Sequence, residues 1–483
     1  HLRAMAEYEK TRDAHSAYFL AELQRHEAEI KGRGQVEAMA EVEADLENVR
    51  SAWKWALNRH DAAGIGGALE CLHIFCDLRG RYHEGAEFFS KAVAAFSPSD
   101  VDEAPSLLLG RLLLRFVFLR VFTPASWPEA RSDLPTAVSI IEQHDATEEK
   151  LIAYLAVATY SLFAEGRPAE ALSYYAKCLA LSQEVGETYY RVAVLLGLGS
   201  CHGILAMPEE FERYTRAAIE LAATSGNKVG CAMARANLAE YLLGIGEYDA
   251  AERHWHEAIA LGQEAENPAV VSYSQALLGF VSFLRGGTVE PATAVQVSLS
   301  IAEKISYAIS SAYAGAVLSL WQCVQGDYLT AKAWAERSLA NTTNNTLGLV
   351  LAHWGLSMAC RGLGRQQEAR NALGDALRQV DSLQLEAAPV WLLPLTAVLL
   401  ADEGERQWAA ELLGLADHHP LSQMAWTTHW PILAEVRAAL AQELGDEAYA
   451  AALARGGEMA VDTAVDTAVA RLLNHFPRQK VAG

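Results

Sequence analysis

The chain is poor in residues that interrupt helices and poor in the motifs that build reactive centres. Of 483 residues only 14 are proline, and no runs rich in Val, Ile and Thr stand between turn signals, so strands are not expected. Seven cysteines (Cys71, Cys76, Cys178, Cys201, Cys231, Cys323 and Cys360) are scattered without a Cys-x-x-Cys pair. Set in apolar helical patterns, they read as reduced core thiols, which points to the cytoplasm. No apolar run reaches the roughly 18 residues that span a bilayer, and no signal peptide is visible. A Gly-x-x-x-x-Gly-Lys-Ser/Thr loop is missing, and no Gly-Lys pair occurs at all, so the chain lacks the loop that cradles nucleotide phosphates. Positive charge is scarce too. Against 60 Asp plus Glu stand 39 Lys plus Arg, a net −21, and such a surface repels phosphate backbones. Neither nucleic acid nor a membrane is an expected partner.

What is abundant is Ala, Leu and Glu, all strong helix formers, within a hydrophobic fraction of 51%. A single core stops growing near roughly 250–300 residues, so this length implies several domains or an elongated repeat array. A repeat is present. A glycine, a polar or aromatic pair and an Ala-containing helix start recur as Gly80-Arg81-Tyr82, Gly166-Arg167-Pro168, Gly246-Glu247-Tyr248, Gly326-Asp327-Tyr328, Gly364-Arg365-Gln366 and Gly404-Glu405-Arg406. Weaker copies fall at Trp127-Pro128, Met207-Pro208 and Gly286-Gly287. The glycines at 166, 246, 286, 326, 364 and 404 hold a lattice of about 40 residues, with Ala206 in the empty slot. Each glycine is expected to end one helix in the left-handed conformation and so turn the chain into the next. One such hairpin cannot bury its apolar face alone, so the hairpins must stack.

The clusters that resemble reactive centres read as structure. His254-Trp255-His256 places two imidazoles about 200° apart on a helix, so both cannot face one ion, and Trp255 belongs to a buried ladder. His418-His419 fails in the same way, and no His-Glu-x-x-His occurs. Gly197-Leu198-Gly199-Ser200-Cys201-His202-Gly203 offers nucleophile-like side chains, but it lies within a helix and lacks the preceding strand that a hydrolase elbow needs. The stretch from Asn341 to Thr346 reads as a loop between hairpins. No catalytic residue, metal ligand or cofactor is expected.

The Gly-x-Tyr-x-x-Ala core resembles the tetratricopeptide repeat with lengthened helices, over roughly residues 65–415. The resemblance implies an all-α superhelical solenoid of helix hairpins with helical caps at both ends: an N-terminal cap or linker over 1–62, the repeat superhelix over 63–416, and a C-terminal cap over 417–483. The ends narrow the family. Arg12 to Leu20, the stripe Val42, Leu46, Val49, Trp53 and Leu57, and the turn Arg79-Gly80-Arg81-Tyr82-His83-Glu84-Gly85 resemble the segment behind the nucleotide-binding and winged-helix modules of bacterial STAND signalling ATPases. The SARP- and LuxR-type regulators belong to that group. Ala409 to Ala416, Trp430, the helix through Glu435 and Leu444, and Gly445-Asp446-Glu447-Ala448-Tyr449 are similar to their C-terminal cap. With its start at His1-Leu2-Arg3, the chain reads as an excised piece whose ATPase lies upstream.

Arrays of this family bind along the concave face. The resemblance places Arg115, Tyr160, Phe163, Glu240, Tyr273, Phe280, Phe283, Tyr313, Trp354, Met358, Arg361 and Trp391 there. That face is apolar and aromatic, with Arg115, Glu240 and Arg361 as its polar groups; the same aromatics could equally be buried as core by a tightly wound superhelix. A clamp for an acidic peptide terminus is disfavoured, because Arg115 and Arg361 lie far apart. The expected function is a sensor region that takes a peptide, protein or small-molecule effector in the groove and controls the upstream ATPase. The alternative is a constitutive protein–protein scaffold without a switch.

Overall fold

The structure is a computed structural model and describes residues 2–98, 106–121, 123, 126–285, 290–342, 346–382, 387–419 and 431–473. Among the described residues there are 24 helices and no strand. Five helices come first: α1 (Leu2–Ile30), α2 (Gln35–Ala44), α3 (Leu46–Arg59), α4 (Ala62–Leu78) and α5 (Tyr82–Phe96). Hairpins follow: α6 (Leu107–Val121) with α7 (Trp127–Glu142), α8 (Thr147–Phe163) with α9 (Pro168–Glu184), α10 (Tyr189–Ile204) with α11 (Pro208–Ser225), and α12 (Lys228–Gly244) with α13 (Tyr248–Glu264). Next are α14 (Pro268–Leu284) with α15 (Glu290–Ile305), α16 (Ala308–Val324) with α17 (Tyr328–Asn341), α18 (Thr346–Gly362) with α19 (Gln366–Ser382), and α20 (Ala387–Asp402) with α21 (Arg406–His418). The chain closes with α22 (Pro431–Leu444), α23 (Asp446–Gly457) and α24 (Val461–Leu472).

The lattice glycines do what the repeat requires. Gly166, Gly246, Gly326, Gly364 and Gly404 have φ of 65°, 80°, 78°, 71° and 83°, and Ala206 takes the same turn at φ 56°. Gly286 and Gly287 lie outside the described residues, as do Trp430 and the centre of the Asn341–Thr346 loop. Several second helices start at Pro168, Pro208 or an equivalent position one residue past the turn, where a missing N–H costs nothing. Asparagine caps open two first helices: Asn227 accepts from the Gly230 amide at 2.8 Å and Asn267 from the Val270 amide at 2.9 Å.

The two helices of a hairpin differ in how much of their surface is buried. Outer helices bury one stripe, as α13 does with Ala251, Trp255, Ala258, Ile259 and Gly262. Inner helices are buried nearly all round, as α14 is from Ala269 to Val281. They are packed by their own outer helix, by the inner helices before and after, and by whatever fills the superhelix. Trp255 is fully buried while His254 and His256 stand at the edges of its face. The glycines of the 197–203 segment lie inside α10, and Gly197 is where the Tyr175 ring of α9 rests: a Cβ there would fall 2.1 Å from the ring.

The N-terminal helices do more than cover the first hairpin. After one turn of the superhelix the chain meets its own beginning. Gln35 is wholly buried; its amide nitrogen donates to Asn227 at 3.3 Å and its oxygen accepts from the Val229 amide at 3.1 Å. The Asn267 amide donates to the Leu78 carbonyl at 2.7 Å, the Arg79 guanidinium pairs with Glu266 at 2.7 Å, and Tyr82 stacks on Tyr307 with ring centres 6.1 Å apart. So α2, the end of α4 and the start of α5 dock on the turns that open α12, α14 and α16. The capping asparagines thereby hold two structures at once: the start of a repeat and the seam to the N-terminal helices. At the other end α23 crosses α21 closely enough that a Cβ on Gly456 would lie 1.9 Å from the Glu411 carbonyl oxygen.

Candidate ligand cavity

Because α4 lies across the concave face, the interior of the superhelix is a walled cavity of about 400 Å³. That is within the range of small-molecule sites. Each wall is a stripe at helical spacing. From α4 come His73, Ile74, Asp77 and Leu78; from α8, Leu155, Thr159, Leu162 and Phe163; from α10, Tyr189, Ala193, Leu196 and Ser200; from α12, Met233, Asn237, Glu240 and Tyr241. Later repeats add Tyr273, Tyr307, Ile309, Leu347 and Trp391. The surface is mostly carbon, with tyrosines from four elements.

The polar groups are few and none is cationic. Among the described residues no Lys or Arg lines the cavity, and burial holds the His73 imidazole neutral with its pKa lowered to about 3. Two carboxyl groups reach in. Glu240 accepts from the Tyr313 hydroxyl at 2.9 Å and from the Tyr273 hydroxyl, although burial still raises its pKa. Asp77 has neither a hydrogen bond nor an ion pair to its carboxylate among the described residues, and burial alone pushes its pKa up to about 6. It is partly exposed while lying deep in the molecule, so its open surface belongs to the cavity. Tyr189 and Tyr307 are near enough to feel its charge.

Behind the wall is a cluster of buried charge. The Arg115 guanidinium bonds Glu70 at 2.6 and 3.0 Å and also pairs with Glu149. Arg111 reaches Glu149 at 2.6 Å and the Gly66 carbonyl at 2.9 Å. Lys31 lies 2.9 Å from Glu27, 3.5 Å from Glu70 and 3.7 Å from Glu148. Tyr190, whose ring lines the cavity, donates its hydroxyl to Glu70. Burial works against the Glu70 anion, but Arg115 and Lys31 override it and hold the carboxyl well below its usual range. Every cation here is engaged by carboxylates that outnumber it, so the cluster sends no free positive charge into the cavity.

Of the residues expected on the concave face, Phe163, Glu240, Tyr273 and Trp391 line the cavity. Arg115 does not, because α4 covers α6 and draws its guanidinium to Glu70. Tyr160 is one position round the helix from Thr159; it points to α7 and donates to the Trp127 carbonyl at 3.2 Å. Phe280 stacks on Phe283 at 13° between ring planes, and Phe280 and Tyr313 are fully buried. Trp354 and Met358 are buried in the main core, and Arg361 pairs at 2.9 Å with Asp402, the last residue of α20. Missed by sequence reasoning were Asp77, Tyr189 and Tyr307. Asp77 carried a signal: a carboxylate set directly after the largely apolar run Cys71-Leu72-His73-Ile74-Phe75-Cys76.

Comparison with known proteins agrees with this architecture. Residues 231–269, which span α12 and α13, match a tetratricopeptide repeat family. A Rap protein complexed with Competence and Sporulation Factor superposes with a TM-score of 0.51 at 14% identity, over 76% of this chain and 96% of that one. The fold is that of a tetratricopeptide-like solenoid. Two further structures superpose more loosely: aspartyl phosphate phosphatase F from Bacillus subtilis (TM-score 0.43, 10% identity, 76% of this chain and 92% of that one) and a signal transduction ATPase with numerous domains carrying a tetratricopeptide repeat sensor from Pyrococcus horikoshii (TM-score 0.39, 14% identity, 74% and 55%). No curated protein matches the chain by sequence. Among the described residues no helix is long and apolar enough to cross a membrane.

Proposed function

We propose that the chain is the ligand-sensing region of a STAND-type signalling ATPase or transcriptional regulator, binding its effector inside the superhelix rather than catalysing a reaction. The observation that carries this reading is the construction of the cavity: one wall, α4, belongs to the N-terminal helices, and the others belong to the repeats. A ligand that touches both binds the docked arrangement more tightly than an undocked one, and only such differential affinity shifts a two-state equilibrium. The resemblance of the N-terminal helices to the segment behind a nucleotide-binding module supports their role as the element that carries the change to an upstream ATPase. A cytoplasmic setting fits the unpaired, mostly buried cysteines.

The test is a thermal-shift screen of pooled metabolites and cell-extract fractions against the chain and against Ala193→Phe, which fills the cavity from α10. A small molecule at about 100 times its Kd adds roughly 2.7 kcal/mol of stability. A shift that disappears in the folded Ala193→Phe protein supports the reading. Silence from every small-molecule pool, with a shift from a protein fraction alone in both proteins, removes it and leaves a constitutive scaffold.

A further inference from the structure

Resting on the reading of the cavity as a ligand site, we propose that its ligand is a small organic amine with an apolar or aromatic body, whose ammonium group is held by the Asp77 carboxylate beside Tyr189 and Tyr307. The chemistry of the walls decides the class. A carboxylate or phosphate ligand would enter a space lined, among the described residues, by two carboxyl groups and by no Lys or Arg. It would find no countercharge, because Lys31, Arg111 and Arg115 are each engaged by glutamates behind the wall. A sugar needs many convergent donors and acceptors, whereas most of the surface of these walls is apolar.

The two carboxyl groups are not equivalent. Glu240 already accepts from two tyrosine hydroxyls. Asp77 accepts from nothing among the described residues, yet it stands between the buried Cys76 and Leu78. A buried carboxylate without a partner is costly, and leucine or asparagine at this position would relieve that cost. An ammonium ion supplies what is missing: one positive charge, donors for the carboxylate oxygens, and a cation that the faces of Tyr189 and Tyr307 attract. The rest of the ligand meets Leu155, Leu196 and Met233.

The experiment is isothermal titration at pH 8 with three molecules that share an indole body: tryptamine, tryptophol and indole-3-propionate. The proposal expects tryptamine to bind about tenfold more tightly than tryptophol, as a charge-assisted hydrogen bond provides, and indole-3-propionate to bind weakest. In Asp77→Asn tryptamine should lose that advantage while tryptophol is unchanged, which separates a lost ion pair from a damaged fold. Equal affinity for amine and alcohol, or an amine preference that survives Asp77→Asn, overturns the assignment. Tryptophol binding that is lost in Ala193→Phe would then still uphold the cavity as a ligand site. Absence of binding by all three at millimolar concentration also overturns the amine assignment, and the pooled screen against Ala193→Phe judges the cavity independently.

Discussion

Tyr190 donates its hydroxyl to the Glu70 carboxylate while its ring forms part of the cavity wall. One side chain on a repeat helix thus touches both the ligand space and the charge cluster that fastens the N-terminal helices. Tyr190→Phe keeps the ring and removes the donor. A hydrogen bond to a buried charged group is worth about 1.5–3 kcal/mol, so the variant should unfold earlier in urea by that order with an unchanged m-value. A variant as stable as the wild type would show that Arg115 and Lys31 satisfy Glu70 without it.

The charge cluster should be costly to break and sensitive to acid. Arg115→Met leaves Glu70 and Glu149 buried with fewer partners, a loss of about 3–5 kcal/mol for a broken buried pair. The folded-state pKa of Glu70 lies below its unfolded value of 4.5 because Arg115 and Lys31 outweigh its burial. A depressed carboxyl contributes stability above the unfolded pKa and loses it as pH falls toward the folded one. Melting temperature should therefore drop as pH falls below about 4.5. In Glu70→Gln that drop should be shallower, and equal slopes in the two proteins would mean that the cluster does not govern acid stability.

Asp77 should show the opposite sign. Burial raises its pKa from 3.8 to about 6, so the folded state holds the proton more tightly and the group destabilises the fold once it is ionised. The penalty is fully present above about pH 6 and vanishes below the unfolded pKa. A rise of this size corresponds to roughly 3 kcal/mol. Asp77→Asn should then melt higher than the wild type at pH 8 and match it near pH 3.5. A variant less stable at pH 8 would mean that the carboxylate has a partner in solution.

The seam offers a substitution that separates two roles of one side chain. Asn267 caps α14 through its oxygen and donates to the Leu78 carbonyl through its nitrogen. Asp keeps the cap and turns the donor into a second acceptor facing that carbonyl. Asn267→Asp should leave the repeats helical but speed hydrogen exchange in α4 and around Leu78 by an order of magnitude or more. Unchanged exchange there would show that the Asn267–Leu78 bond does not hold the seam.

The repeat was legible because it is written locally. A left-handed turn needs glycine or an unusual alanine, and the next helix start follows at once, so Gly246-Glu247-Tyr248 carries its own structure. The cavity was only partly legible, because its walls depend on which helix lies opposite. The resemblance to the tetratricopeptide repeat implied inward positions for Glu240 and Tyr273, and both line the cavity. Arg115 projects inward too, but α4 arrives from 45 residues earlier and pairs with it. Nothing in the repeat pattern announces that visit, nor that Asn227 and Asn267 would meet residues nearly 200 positions away. Tyr160 differs from Thr159 by a 100° rotation, the smallest error a register can make.

The lattice itself provides a matched pair of tests with opposite signs. Gly246 and Ala206 occupy equivalent turns at φ 80° and 56°. A Cβ added to Gly246 meets nothing within 4 Å, so any penalty for Gly246→Ala is conformational and not steric crowding by neighbours. The left-handed region costs an L-residue roughly 1–2 kcal/mol, and the stiffer unfolded chain returns about 0.4–1 kcal/mol. Gly246→Ala should therefore destabilise by about 0.5–1 kcal/mol. Ala206→Gly reverses both terms and should stabilise by a similar amount, read as a rise in the urea midpoint with an unchanged m-value. Two destabilised variants would mean that Ala206 packs against neighbours that glycine cannot replace, and that strain is not what distinguishes the two turns.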